Sequence, residues 1–326
     1  MQSLGNLDNE YTILRLTKEN FNENYYIARH EQTQINYYIE IAGEEDDYGH
    51  NFSNIDTNIL NILSNINNPY ILRYIRNGNG QLSLNGNPPK NVPYIIYENA
   101  PRYDLFEYIS IKNFSERHSK LIFKKIIKGV QAIHNANIYH RDINPDNIIF
   151  DENYNPKIYG FYFCCMNSNN LTEKIGTECY TPPEVYSNKS YNGFKYDIFS
   201  LGHLLMTLVT GKLGFSSVKE HDKLYKFIIN HEYEKYWEKH RTFVKKNFNL
   251  SESFKKLFVR MVAYDPNERP LIDEILNDEW MKEINNLNDE QMNALENEVK
   301  IELQQREAEI HINPVNDDID PDDYGR

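Results

Sequence analysis

Over roughly the first hundred residues, hydrophobic side chains come in short runs broken by polar ones, as in Tyr25-Tyr26-Ile27-Ala28 and Tyr37-Tyr38-Ile39-Glu40-Ile41. Runs this short, rich in Tyr and Ile, suit half-buried strands and predict a small sheet. One helix interrupts it. After Ser53, an N-cap residue type, Ile55, Ile59, Ile62 and Leu63 recur at helical spacing until Asn68-Pro69 stops the pattern. Further strands are expected at 70–75 and 92–98. Between them 77–93 is dense in Gly, Asn and Pro, which reads as an exposed loop or hairpin tip.

From Asp104 the period becomes helical. Ile122, Ile126, Val130 and Ile133 fall on one face of a helix that starts near the cap residue Ser115. The stretch 196–211 is apolar nearly all round and ends in Gly211, the pattern of a helix buried at the centre of a domain. Shorter helices fit 224–231, 254–262 and 271–285. Later, Asn288 and Gln291 have the spacing of a capping box, and Met292, Leu295, Val299, Leu303 and Ile310 form a stripe that lasts to Pro314. Such an amphipathic tail helix can pack on its own domain, fill a partner's groove or pair with a second copy.

The chain has 326 residues and 40% apolar content, enough for a real core. Its formal net charge is -13, of which residues 283–326 account for -10, with 13 acidic and 3 basic side chains. The acidity belongs to the tail, whose end, 316–323, carries five aspartates and reads as a solvated segment. An acidic chain is not expected to bind nucleic acid or acidic membranes, both of which call for a basic surface. The first thirty residues lack the apolar centre of a signal peptide, and 201–211 is too short to span a bilayer, so an intracellular, cytoplasmic location is expected. Cys164, Cys165 and Cys179 offer neither a disulfide framework nor a zinc spacing.

Four motifs then point one way. Tyr139-His140-Arg141-Asp142-Ile143-Asn144-Pro145-Asp146-Asn147 resembles the catalytic loop of eukaryotic-type Ser/Thr protein kinases, H-R-D-L-x-x-x-N. Thr181-Pro182-Pro183-Glu184 resembles the A-P-E end of the activation segment, Tyr196-Asp197-Ile198-Phe199-Ser200-Leu201-Gly202 the start of the large lobe's central helix, and Asp265-Pro266-Asn267-Glu268-Arg269-Pro270 the late arginine motif. The resemblance implies an α+β, bilobal kinase-like fold over 11–282, with a β-rich N-lobe at 11–98, a helical C-lobe at 99–282 and a cleft between them. Residues 1–10 then form an N-terminal extension, and 283–326 an amphipathic helix with an acidic tail.

Phosphoryl transfer needs the phosphates held and their charge neutralised, which kinases do with a glycine loop, a lysine and magnesium ions. Each part is altered here. The glycine positions of the loop fall on Lys18, Asn20 and Glu23, whose side chains keep backbone amides from close approach. Glu40 stands where the phosphate-binding lysine belongs, and a carboxylate there repels phosphate by ~1 kcal/mol in water and several-fold more in a dry cleft. Tyr38 takes the place of the small alanine that leaves room for adenine. With Tyr25, Tyr97 and Ile149 it lines the expected nucleotide cleft, where the rings either fill the pocket or reflect a chain rich in tyrosine. The helix glutamate that should pair with the lysine falls on Ile59, and no reversed pair compensates Glu40. Gly160-Phe161-Tyr162 replaces D-F-G, which removes the main carboxylate anchor for metal, and Asn144 replaces a lysine.

By the same resemblance Asp142 is the acceptor of a substrate hydroxyl proton and Asn147 the ligand of a second metal, although both also serve as scaffold of the loop. His140 and Asp197 tie down the loop's backbone, and Glu184 and Arg269 form a buried ion pair. Arg141 receives a phosphorylated residue of the activation segment, for which Ser168, Thr172 and Thr177 are available. The leading expectation is a pseudokinase that needs no cofactor and works through a protein partner such as an active kinase. An unusual Ser/Thr kinase using Asp142, Asn147, ATP and Mg, with Lys18 as a relocated lysine, is the alternative. A nucleotide sensor without phosphotransfer is a third reading.

Overall fold

A computed structural model describes residues 3–19, 23–42, 55–166, 170–187, 190–244 and 249–312. The chain divides into two compact units, Met1–Tyr103 with Ile149–Cys164, and Asp104–Ile148 with Cys165–Arg326. The first is rich in strands and the second helical, a bilobal α+β arrangement.

In the first unit six antiparallel strands close into a barrel in the order β1-β2-β3-β4-β6-β5. They are β1 (Gly5–Leu7), β2 (Tyr11–Glu19), β3 (Glu23–His30), β4 (Asn36–Ala42), β5 (Tyr74–Leu84) and β6 (Lys90–Glu98). β1 pairs with both β2 and β5. Residues 5–7 are thus part of the sheet, which corrects the reading of 1–10 as an extension outside the domain: three residues suffice when both edges of a sheet need covering. Alternation sorts the side chains. Tyr26, Ala28, Ile39, Ile41, Tyr94 and Ile96 join Leu7, Tyr11 and Ile13 in one buried cluster.

Two sequence expectations are refined in this unit. The stretch 77–93 is the hairpin of β5 and β6 with its exposed tip at 85–89, one of the two readings open to it, but strands run through most of it, and Gly78 and Gly80 mark close approach. A Cβ on Gly78 would meet the Tyr94 ring at 3.1 Å, and one on Gly80 would collide with the Asp8 carboxylate. The helix α1 (Thr57–Ser64) is capped by Asp56, whose side chain accepts from the Asn58 amide; Ser53 lies outside the described residues.

The second unit begins with α2 (Leu105–Ile111), which a capping box between Asp104 and Glu107 starts. Then come α3 (Glu116–Asn135), with Ser115 as its N-cap, and α4 (Gly193–Thr210), buried along its length and closed by Gly211 at φ 68. This left-handed position favours glycine. Beyond lie α5 (Tyr225–Ile229), α6 (Tyr233–Val244), α7 (Glu252–Met261), α8 (Ile272–Leu276), α9 (Lys282–Asn285) and α10 (Asp289–Ile312). The single helix expected at 271–285 is broken. Asp278 accepts from the Trp280 amide and starts a separate turn, so that Trp280 is carried into the core, 1% exposed.

The tail helix α10 packs within this unit, against α2 and α3, burying Leu295, Val299, Leu303, Arg306 and Ile310. Its capping box forms as expected: the Gln291 amide donates to Asn288 Oδ1 at 2.9 Å and the Asn288 amide to Gln291 Oε1 at 3.1 Å. Of the three occupations open to this helix, the structure has the first. The five aspartates of 316–323 lie outside the described residues. Among the described residues no helix is long and apolar enough to cross a membrane.

Candidate functional site

The altered nucleotide-site positions gather on one face of the first unit. Strand register sets Tyr25 opposite Glu40 and Tyr38 opposite Tyr97. Directly opposed residues share a face, and steps of two along β4 put Tyr38 and Glu40 on the same one. The Tyr25 and Tyr38 rings stack with centroids 5.6 Å apart, and Tyr159 meets both edge-on at 6.1 and 6.2 Å. Tyr25 is 3% exposed, and Tyr38 and Tyr97 are 1% exposed each. Ile149 is buried too. Tyr159 is a fourth ring that the motif reading passed over; its place directly before Gly160 was the available signal.

Glu40 is 1% exposed, and the Tyr25 hydroxyl donates to its Oε1 at 3.0 Å. The sequence offered no reversed ion pair for Glu40; the structure gives its carboxylate this neutral donor. The donor was invisible because it lies fifteen residues away along the chain and becomes a neighbour only across the β3·β4 ladder. Lys18 also faces Tyr25 across the β2·β3 ladder, so Lys18, Tyr25 and Glu40 occupy one row over three strands. Asn20 lies outside the described residues.

Ile59 is a core residue of α1, 3% exposed, and no acidic residue occurs within Thr57–Ser64. Gly160 has φ 76 and ψ 47 and leads into a tight turn at Phe161–Phe163. A residue with a Cβ is strained in this left-handed conformation, so the backbone and the loss of the carboxylate agree.

In the second unit Asp142 is buried and heavily bonded. The Thr177 amide and hydroxyl both donate to its Oδ1 at 2.8 Å, and Asn147 Nδ2 donates to its Oδ2 at 2.8 Å and to its backbone carbonyl at the same distance. Asn144 caps the turn Pro145–Asn147 through the Asn147 amide and donates to the Thr177 hydroxyl at 3.0 Å. Where the sequence suggested only a lost lysine, Asn144 ties the loop to the segment after it. Thr177, expected only as a modifiable hydroxyl, is here the main partner of Asp142.

Beneath the loop, Asp197 takes the His140 amide at 2.9 Å, the Arg141 amide at 2.8 Å and His134 Nε2 at 2.7 Å, while His140 Nδ1 accepts from the Asp142 amide at 3.3 Å. These contacts hold Arg141 at φ 61, a conformation that non-glycine residues adopt at a cost. The Arg141 guanidinium donates to Glu173 at 3.1 Å and to the Tyr191 hydroxyl at 3.3 Å. A hydrogen bond from its own amide, then the Arg141 charge, keep the Glu173 carboxyl below its usual value against the opposing effect of burial. The anion opposite Arg141 is thus a carboxylate. Thr172 is exposed, and Ser168 lies outside the described residues.

Arg269 binds Glu184 through two bonds of 2.6 and 2.7 Å and donates further to the carbonyls of Ala263 and Lys195. The thiols are poor nucleophiles: burial raises Cys165 to about 11 and Cys179 to about 12. Among the described residues no cluster of His, Cys, Asp and Glu could hold a metal ion.

These features define a protein kinase fold, and comparison with known proteins agrees. The family model for the protein kinase domain matches residues 26–281, and the chain belongs to that family. CBL-interacting protein kinase 26 of Oryza sativa is 31% identical over 208 residues, 61% of this chain and 39% of that protein. Developmentally-regulated protein kinase 1 of Dictyostelium discoideum is 30% identical over 234 residues, 70% of this chain and 30% of its own length. Maternal embryonic leucine zipper kinase of Xenopus laevis is 31% identical over 199 residues, 28% of its length. The chain spans well under half of each of these relatives.

Proposed function

We propose that this protein kinase family member is a pseudokinase, acting through contacts with a protein partner such as an active kinase rather than by phosphoryl transfer. The observation that carries the reading is the buried Glu40, bonded to Tyr25 on a face where Tyr38 and Tyr159 pack ring against ring. Such a face opposes phosphate by charge and adenine by bulk. Gly160 supplies no oxygen for magnesium, and Asn147, whose amide nitrogen is bonded to Asp142, offers only a neutral amide oxygen, so the residues present do not fit the usual two-metal nucleotide site. Neither ATP nor a metal is part of this reading.

A second reading keeps the enzyme: Asp142 and Asn147 retain their loop, and Lys18 stands in the row of Tyr25 and Glu40, where a relocated lysine would be sought. It would make the protein an ATP-dependent Ser/Thr kinase. A sensor that binds nucleotide without transfer lies between the two. Calorimetry with ATP, with and without magnesium or manganese, followed by a phosphotransfer assay, separates them. No saturable binding is expected up to ~1 mM. Micromolar binding without transfer would favour the sensor, and transfer abolished by Asp142→Asn would establish the kinase and overturn the pseudokinase.

A further inference from the structure

The tail helix α10 lies beyond the region matched by the family, yet it is held to the second unit by two kinds of contact that respond differently to pH. Its apolar stripe and the Arg306 guanidinium form the permanent part. Arg306 is 3% exposed and sits 3.7 Å over the Phe114 ring. It donates to the carbonyls of Tyr108, Lys112 and Asn113, at and just beyond the C-terminal end of α2. Such a side chain stays charged at every accessible pH.

The second kind is a histidine between two carboxylates. His118, in the first turn of α3, faces Glu302 with Nδ1 at 2.5 Å and Glu298 with Nε2 at 3.4 Å. An imidazole can donate from both nitrogens only when protonated; once neutral, one nitrogen turns a lone pair toward a carboxylate. Both acids come from α10, one turn apart, and Glu302 is also bonded to Arg306. Other charges around the seam are engaged: Arg117 and Lys120 with Glu283, Lys125 with Glu296, and Glu307 with the Tyr108 hydroxyl. Glu116, two residues from His118, bonds Ser251 and Trp280, while Lys112 lines the groove beside the histidine with Ser115, Ile301 and Gln305. This groove gives solvent a route to the ring, whose side chain is 20% exposed.

We propose that α10 is a pH-sensitive clasp on the second unit, with His118 as its titrating latch and Arg306 as its fixed anchor. The hydrogen bond to Glu302, opposed by burial and aided by Glu298, raises the His118 pKa above 6.5. A histidine whose folded value is raised gives its full stabilisation below 6.5 and loses it as pH rises through the folded value. The clasp is therefore tightest below 6.5 and loosens as pH rises through the folded value, so that α10 opens more often from the α2–α3 face it covers while Arg306 keeps its place.

The test is hydrogen exchange on the full chain at about pH 6 and about pH 8, corrected for intrinsic rates, beside the His118 ring titration by NMR. Protection of 289–312 should fall by about threefold or more at the higher pH while that of α4, which holds the buried His203, does not fall, and the ring should titrate above pH 6.5. His118→Gln, which keeps a donor but cannot charge, should abolish the difference; should it fold poorly, Glu298→Gln with Glu302→Gln serves the same end. Equal protection of α10 at both pH values, a loss of its protection at the higher pH that persists in these variants, or a ring midpoint at or below 6.5 would overturn the proposal.

Discussion

At the scale of single residues, Glu40 shows how one substitution gains its meaning from neighbours. A glutamate in place of a lysine reverses a charge wherever it sits, but only the strand ladder explains its burial, because it brings the Tyr25 hydroxyl within 3.0 Å. Reversing it alone should therefore not rebuild a nucleotide site. Glu40→Lys is expected to lose ~1–3 kcal/mol of stability, since it buries a cation against the Tyr25 hydroxyl that had donated to the carboxylate, and to gain no ATP affinity while Tyr38 and Gly160 remain. Chemical denaturation and calorimetry on the one variant check both halves; strong ATP binding after this single change would remove the steric part of the argument. The buried pair of Arg269 and Glu184 is a different case, a matter of folding. Glu184→Ala leaves the guanidinium, fully buried, without its bidentate partner and should cost ~3–5 kcal/mol, read as a shifted urea midpoint.

At the scale of elements, the central helix α4 combines legible and hidden properties. Its apolar sequence and terminal glycine predict a buried helix, and it is one, but the sequence does not reveal what surrounds His203. That ring is fully buried against Phe199, Phe215 and Tyr180, and among the described residues neither of its nitrogens finds a hydrogen-bond partner. Burial lowers its pKa to about 3, and that of His240 on α6 to about 4. Both must be neutral in the folded state, whereas the unfolded chain takes up protons below 6.5. Stability is therefore complete above that value and falls as pH drops toward the folded values, by up to ~1.4 kcal/mol per unit for each histidine. His203→Leu should reduce this acid slope by roughly half, measured by urea denaturation at about pH 7.5 and about pH 5.5; an unchanged slope would show that His203 is not its source.

At the scale of the whole molecule, the tail is where charge and packing part ways. Most of the net charge lies in residues 283–326, yet four apolar side chains and Arg306 of α10 are buried. Burying a Leu, Val or Ile side chain is worth ~1.5–3 kcal/mol as an upper estimate, so the helix contributes to the second unit well beyond its surface ion pairs. Removing 283–326 is expected to lower the melting temperature by several degrees and to raise dye binding by the uncovered α2–α3 face, around Tyr108 and Phe114. A truncated chain as stable as the full one would mean that α10 is dispensable to the unit.

Much of the fold and part of the site were legible in order along the chain. The His140-to-Asn147 loop, Asp197, Glu184 and Arg269 lie in four local motifs, and the period of the hydrophobic pattern placed the sheet, α3, α4 and the tail stripe, because each depends on spacing within a few residues. What spacing cannot carry is which distant segments meet. Closure of the barrel by Gly5–Leu7, the glycines of β5 as points of close approach, and the break before Trp280 were all decided by neighbours remote in sequence. The same holds at the site: Tyr25 on Glu40, Thr177 on Asp142, Glu173 on Arg141 and His118 between two glutamates of α10 are contacts across 15 to 184 residues. The chain order determined the kinase family and the altered chemical groups; the tertiary structure alone decided what those groups touch, because hydrogen bonds and burial act through space.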